Sequence, residues 1–150
     1  MSEYRLFSEI IDRSAAKEWE QARAEWRLVN IYEDPDNTCL CGHHPITEIC
    51  VLFNEVTGER AEVGNCCVKK FGSKQHLVVP GIQRIRESIG AALTFPAIEF
   101  CFDQGIMRRE DTLFYLDTFR KRILTERQLW RRKKINEEVL RAIERHAHLR

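Results

Sequence analysis

Two short stretches decide the fold: Cys39-Leu40-Cys41-Gly42-His43-His44, and Gly64-Asn65-Cys66-Cys67-Val68-Lys69-Lys70-Phe71. The first gathers four soft or borderline metal ligands within six residues, and the second adds two more after a Gly-Asn turn. A structural zinc ion takes four Cys or His ligands in a closed tetrahedron. Cys39, Cys41 and Cys67 read as three of them. The fourth is His44 or its neighbour His43, with Cys66 as the competitor, since adjacent cysteines both bind only across a sharp backbone turn. A thiolate at a helix start, where Cys67 falls, is favoured by unpaired backbone N–H groups.

Between the two stretches, Ile46 to Phe53 is apolar and β-branched and reads as a strand. Asn54-Glu-Val-Thr-Gly58-Glu is turn chemistry, and Arg60 to Val63 is the return strand. Cys67-Val-Lys-Lys-Phe71 then starts a short helix. The order is a cysteine knuckle, a β-hairpin and a helix, which is the organisation of a treble-clef-like zinc finger spanning about 26–72. Cys50, in mid-strand, and Cys101, in an apolar patch, read as small buried core residues.

The pieces carrying these ligands are similar to a family of short zinc-motif proteins encoded by bacteriophages, prophages and large DNA viruses. The resemblance rests on Cys39-Leu-Cys-Gly-His-His-Pro-Ile46, on Cys50-Val-Leu-Phe-Asn-Glu-Val-Thr-Gly58, and on Val63-Gly-Asn-Cys-Cys-Val-Lys-Lys-Phe71. It covers about 35 residues of the chain. It implies that Cys39, Cys41 and Cys67 are ligands, with Gly42, Gly58, Gly64 and Phe71 as framework. Cys66 falls on a variable position, and the double histidine departs from a commoner single one. A weaker likeness joins Leu124-Thr-Glu-Arg-Gln128 and Ile135-Asn-Glu-Glu-Val-Leu140 to an element of phage and bacterial proteins that handle nucleic acid. Together the resemblances imply a zinc protein working in the cytoplasm of a bacterial host.

Upstream, Ser14 is an N-cap candidate for a helix reaching about Glu25, so 1–25 is expected as an N-terminal helical segment. Leu28 begins a β-type stretch, which Asp34-Pro-Asp-Asn37 should end. Downstream, 73–150 reads as a helical region, the whole chain forming one compact unit. A helix from Pro80 lines up Ile82, Ile85 and Ile89, and Ala97 to Phe102 is a second, ended by Gly105. From Asp111 a long amphipathic segment carries Leu116, Phe119, Ile123, Trp130, Val139 and Ile143 at three- to four-residue spacing. A break is expected near Thr125, a fresh N-cap.

The chain has 150 residues and 17.7 kDa, with 43% hydrophobic and 31% charged residues, which excludes wholesale disorder. No run approaches the roughly 18 apolar residues of a membrane helix. The first residues carry acids where a signal peptide has a basic head, so six cysteines in a reducing compartment point to metal rather than disulfides. The net charge of +1 hides a gradient from an acidic head to a basic tail.

The basic end is concentrated in 120–134, where Arg120, Lys121, Arg122, Arg127, Arg131, Arg132, Lys133 and Lys134 face one acid, Glu126. Such density on a helix is a phosphate-binding surface. The bland reading is a solvated face, with Lys133 and Lys134 pairing with Glu137 and Glu138 one turn on. Trp130 within it reads as a core residue. No zinc-deaminase signature, His-Glu-x-x-His, nucleophile elbow or phosphate loop occurs. A free His43 or His44 lacks an evident catalytic partner. The expectation is therefore an α+β, non-enzymatic zinc protein with flanking helices and a long basic C-terminal helix, binding nucleic acid. The rival is a viral adaptor or inhibitor that docks on a host protein.

Overall fold

The computed structural model describes residues 2–72 and 74–148, which divide into two compact units, Met1–His76 and Leu77–Arg150. The first is a three-stranded antiparallel sheet with helices; the second is helical.

In the first unit β1 (Trp26–Asn37), β2 (Ile46–Asn54) and β3 (Arg60–Val63) lie in the order β1-β2-β3. Val, Ile, Leu and Cys crowd β2, and Ile49, Cys50, Val51 and Leu52 are all buried, as suits a central strand covered on both faces. In the β2–β3 hairpin β3 has the expected bounds and β2 runs one residue further than expected, to Asn54. Gly58 takes a φ of +79° in its turn, and Asn54 Oδ1 accepts from the N–H groups of Val56 and Thr57.

β1 does not stop at Asp34. It continues to Asn37 with the pairing slipping between Glu33 and Asn37, so the Asp-Pro-Asp stretch bulges rather than ending the strand. β1 is an edge strand, where the N–H that proline lacks is not demanded by a neighbour. At the bulge Asp36 adopts a φ of +72°.

The expected helix from Ser14 is also different. Helix α1 (Ser2–Asp12) precedes it and α2 is short (Trp19–Arg23). Ser14 caps nothing: its hydroxyl donates to Ile10 O at 2.6 Å and accepts from Trp26 Nε1 at 2.8 Å. Leu6 and Ile10, one turn apart, are fully buried. Phe7 stacks on Trp19 at 4.2 Å, and Trp19 meets Phe71 edge-on at 5.4 Å. This aromatic run ties both N-terminal helices to the helical turn after Cys66.

In the second unit α3 (Val78–Glu87), α4 (Phe95–Asp103), α5 (Arg109–Thr118) and α6 (Glu126–His148) surround Ile82, Ile85, Leu93, Ile98, Tyr115 and Val139. α3 and α4 approach closely at Gly81, where a Cβ would stand 2.6 Å from Ala97 Cβ and from Thr94 Oγ1. The break before α6 is as expected. Thr125 Oγ1 accepts from Gln128 N at 3.1 Å while Gln128 Oε1 accepts from Thr125 N at 3.0 Å, a capping box. Three residues of the amphipathic pattern fall outside the core: Ile123 is 88% exposed, Trp130 63% and Leu116 38%. α6 buries 132, 135, 136, 139, 142 and 143, and Trp130 projects from the opposite face.

Asn136 joins the elements of this unit. Its amide donates to Ile89 O and Ala91 O at 2.7 and 2.8 Å, and its oxygen accepts from Tyr115 OH at 2.7 Å. The Tyr115 oxygen in turn accepts from Leu93 N at 2.9 Å. Among the described residues no helix is long and apolar enough to cross a membrane.

Candidate metal centre and basic surface

The knuckle Cys39–Gly42 folds back on itself. Gly42 N donates to Cys39 O at 2.8 Å, and Cys39 N donates to His43 O at 2.9 Å. Gly42 holds a φ of +95°, which favours glycine, and the Arg5 guanidinium lies against it where a Cβ would stand. Leu40 N donates to Glu62 O at 3.1 Å, which fastens the knuckle to β3. β3 then delivers Gly64, whose carbonyl accepts from Val68 N, and the chain enters a 3-10 helix, Cys67–Phe71. Knuckle, hairpin and helical turn thus follow in the expected order, the last a single 3-10 piece rather than an α-helix.

These connections bring the Sγ atoms of Cys39, Cys41 and Cys67 within 4.8 Å of one another, with no disulfide formed. Cys39 and Cys41 are buried and Cys67 is half-buried. Sulfurs around a tetrahedral zinc ion, each at about 2.3 Å, stand about 3.8 Å apart. The limit of 4.8 Å on their separations accommodates that spacing, and three convergent sulfurs are the donor set a thiophilic cation prefers. The site therefore fits a metal ion. The Cys39 thiol is brought down to about 5, first because the Cys67 thiol donates to it, against the opposing effect of burial. The N–H groups of Cys41 and Gly64, the latter at 3.3 Å, also favour its thiolate. Cys67 is correspondingly raised, because its proton serves that bond and its site is partly buried.

His44, expected as the fourth ligand, stands outside the cluster. Its Nδ1 is 2.8 Å from Thr38 Oγ1 and its Nε2 is 2.9 Å from Asp36 Oδ1. His43 and Cys66, the alternatives, have exposed side chains and are not part of the cluster either. Cys50 and Cys101 are fully buried core residues, as expected, and burial pushes the Cys101 thiol up to about 12.

The eight basic residues divide into two groups. Arg120, Lys121 and Arg122 lie in the connection before α6, not on a helix, and are exposed. Arg127, Lys133 and Lys134 are exposed on α6, with Lys134 Nζ 5.6 Å from the Trp130 ring centre. Arg131 is half-buried; it reaches Asp111 Oδ1 at 3.4 Å and lies 4.4 Å from the Phe114 ring centre. Arg132 is only 5% exposed, donates to Thr118 O at 2.8 Å and rests on the Tyr115 ring, so it leaves the candidate surface. Of the expected pairs one turn apart, the structure instead joins Glu137 to Lys134 at 3.9 Å and to Arg141 at 3.7 Å.

The buried face of α6 is what sequence reasoning missed. Arg132 falls at the spacing of Ile135, Asn136 and Val139, and that register was the available signal. Compared with known protein families, curated proteins and solved structures, the chain matches none.

Proposed function

We propose that this chain is a non-enzymatic nucleic-acid-binding protein of the phage type its motifs resemble, stapled by zinc in a treble-clef-like core. The observation that carries the nucleic-acid reading is Trp130: a large aromatic left 63% exposed among exposed cations, rather than packed in the core. An exposed ring with Arg127, Lys133 and Lys134 around it is the pairing used to hold a single strand, the base stacking on the ring and the phosphates meeting the cations. Arg120, Lys121 and Arg122 extend the positive field along the connection. Zinc is the reading for Cys39, Cys41 and Cys67, since three thiolates favour it among the common divalent ions.

Electrophoretic retardation of labelled single strands and duplexes tests this. Binding should weaken steeply with salt. Six exposed cations bound to six phosphates would give a log–log slope of about −4 to −5. Trp130→Ala should weaken single-strand binding by roughly 5- to 100-fold, the worth of one stacked base. No salt-sensitive retardation at low ionic strength overturns the reading.

One observation favours docking on a host protein instead. A groove of about 320 Å³ between α4 and α5 exposes Phe95, Phe102, Leu113 and Leu116, with two acids, Glu99 and Asp103, against one base, Arg109, on its lining. Its complement is an apolar segment bearing a basic residue. That reading requires one stoichiometric host protein, retained after nuclease treatment and lost in Leu113→Asp, whose nucleic-acid retardation is unchanged.

A further inference from the structure

Three sulfurs leave a tetrahedral ion one ligand short, and the residues nearest to completing the set are engaged or turned elsewhere. His44 is the clearest case. Its Nε2 stands 2.9 Å from Asp36 Oδ1 and its Nδ1 2.8 Å from Thr38 Oγ1, so each ring nitrogen already has a partner. Both nitrogens are spent, and ligation would require both bonds to break. His43 instead closes the knuckle through its main chain, its carbonyl accepting from Cys39 N while its side chain faces solvent. Cys66 is exposed and in helical conformation, at φ −75° and ψ −43°, so its side chain leaves the backbone about 100° away from that of Cys67. Among the described residues no Cys, His, Asp or Glu joins the three. The side of the trio that meets water is marked by Cys67, half-buried where Cys39 and Cys41 are buried.

We infer that the fourth coordination position of the Cys39–Cys41–Cys67 centre is open, taken by water and exchangeable for a small monodentate soft donor such as a low-molecular-weight thiolate. This rests on the metal reading proposed above. It differs from the closed four-ligand finger that the sequence motifs imply. Arg5, lying against Gly42 beside Cys41, supplies a positive charge near an ion that three thiolates would leave net negative.

Cobalt(II) is the probe, loaded at one equivalent into the reduced full-length protein under anaerobic conditions. Wild type, His43→Ala, His44→Ala and Cys66→Ser should give superimposable sulfur-to-cobalt charge-transfer and visible bands, because none of these side chains is a ligand. All three substitutions are at exposed positions. Adding 2-mercaptoethanol at millimolar concentration should shift the visible bands and raise the charge-transfer intensity by about one third, as a fourth sulfur joins three. A changed spectrum in any of the three variants, or no response of the wild type to the thiol, overturns the open position while leaving a metal centre in place. No cobalt or zinc uptake by the wild type overturns the metal centre and the inference with it.

Discussion

Six cysteines in one chain occupy three different environments, and thiol chemistry should separate them. Cys50 and Cys101 are sealed in the core, Cys66 is exposed, and Cys39, Cys41 and Cys67 share one centre. In the metal-loaded native protein, Cys66 should react first with a chromogenic disulfide reagent; a chelator should release the three of the centre, and Cys50 and Cys101 should wait for denaturant. Fast reaction of Cys101 in the folded protein would contradict its burial. Glu25 offers a second residue-scale test. Its carboxylate accepts from Asn54 Nδ2 at 2.9 Å and from the N–H groups of Ala15 and Ala16 at 2.8 Å. The Asn54 bond above all holds its pKa below the ordinary value. A lowered folded-state pKa gives stabilisation that is complete above the unfolded value of about 4.3 and disappears as pH falls through the folded one. Glu25→Gln should therefore lower the urea midpoint at neutral pH and flatten its decline between roughly pH 5 and 3. An unchanged acid limb would exclude this role.

At the scale of elements, Gly81 in α3 sets helix propensity against packing. Alanine in a helix interior is favoured over glycine by up to about 1 kcal/mol. Here the added Cβ would lie 2.6 Å from Ala97 Cβ and 3.0 Å from the Thr94 backbone nitrogen, and overpacking of that kind costs about 1–3 kcal/mol. Packing wins, so Gly81→Ala should lower the thermal midpoint rather than raise it. The same contest explains which elements were legible in the sequence. The β2–β3 hairpin was readable because β-branched runs and a glycine turn are local signals, as was the Thr125 capping box. The knuckle was readable for the same reason, so three convergent sulfurs could be named in advance. Ser14 resembled an N-cap, but a hydroxyl is free to choose any partner, and it chose Ile10 in the preceding helix and Trp26 at the start of β1. Asp34-Pro35 resembled a stop, yet an edge strand absorbs proline as a bulge. Trp130 and Arg132 were exchanged for a similar reason. Residue type suggested which should be buried, whereas the register of α6 against Tyr115, which meets both Arg132 and Asn136, decided it.

Across the whole molecule, the two units carry opposite charge: nine basic and thirteen acidic residues in 1–76, fifteen and ten in 77–150. The cysteine centre belongs to the first and the basic surface to the second. Removing the metal, by a strong chelator or by Cys39→Ser or Cys67→Ser, should strip amide-exchange protection from β2, β3 and the Cys67–Phe71 turn, since a small core leans on such a staple. Full metal occupancy and unchanged melting in either variant would refute a structural role for the centre. The placement of the three tryptophans adds an optical consequence. Trp26 is buried and Trp19 half-buried in the first unit, while Trp130 alone represents the second and meets water. The emission of the intact protein is then a sum of blue-shifted indoles and one red-shifted, quencher-accessible indole. Acrylamide or iodide removes the second component selectively, so unfolding of one unit and occupancy of the other can be followed separately in a single unlabelled sample.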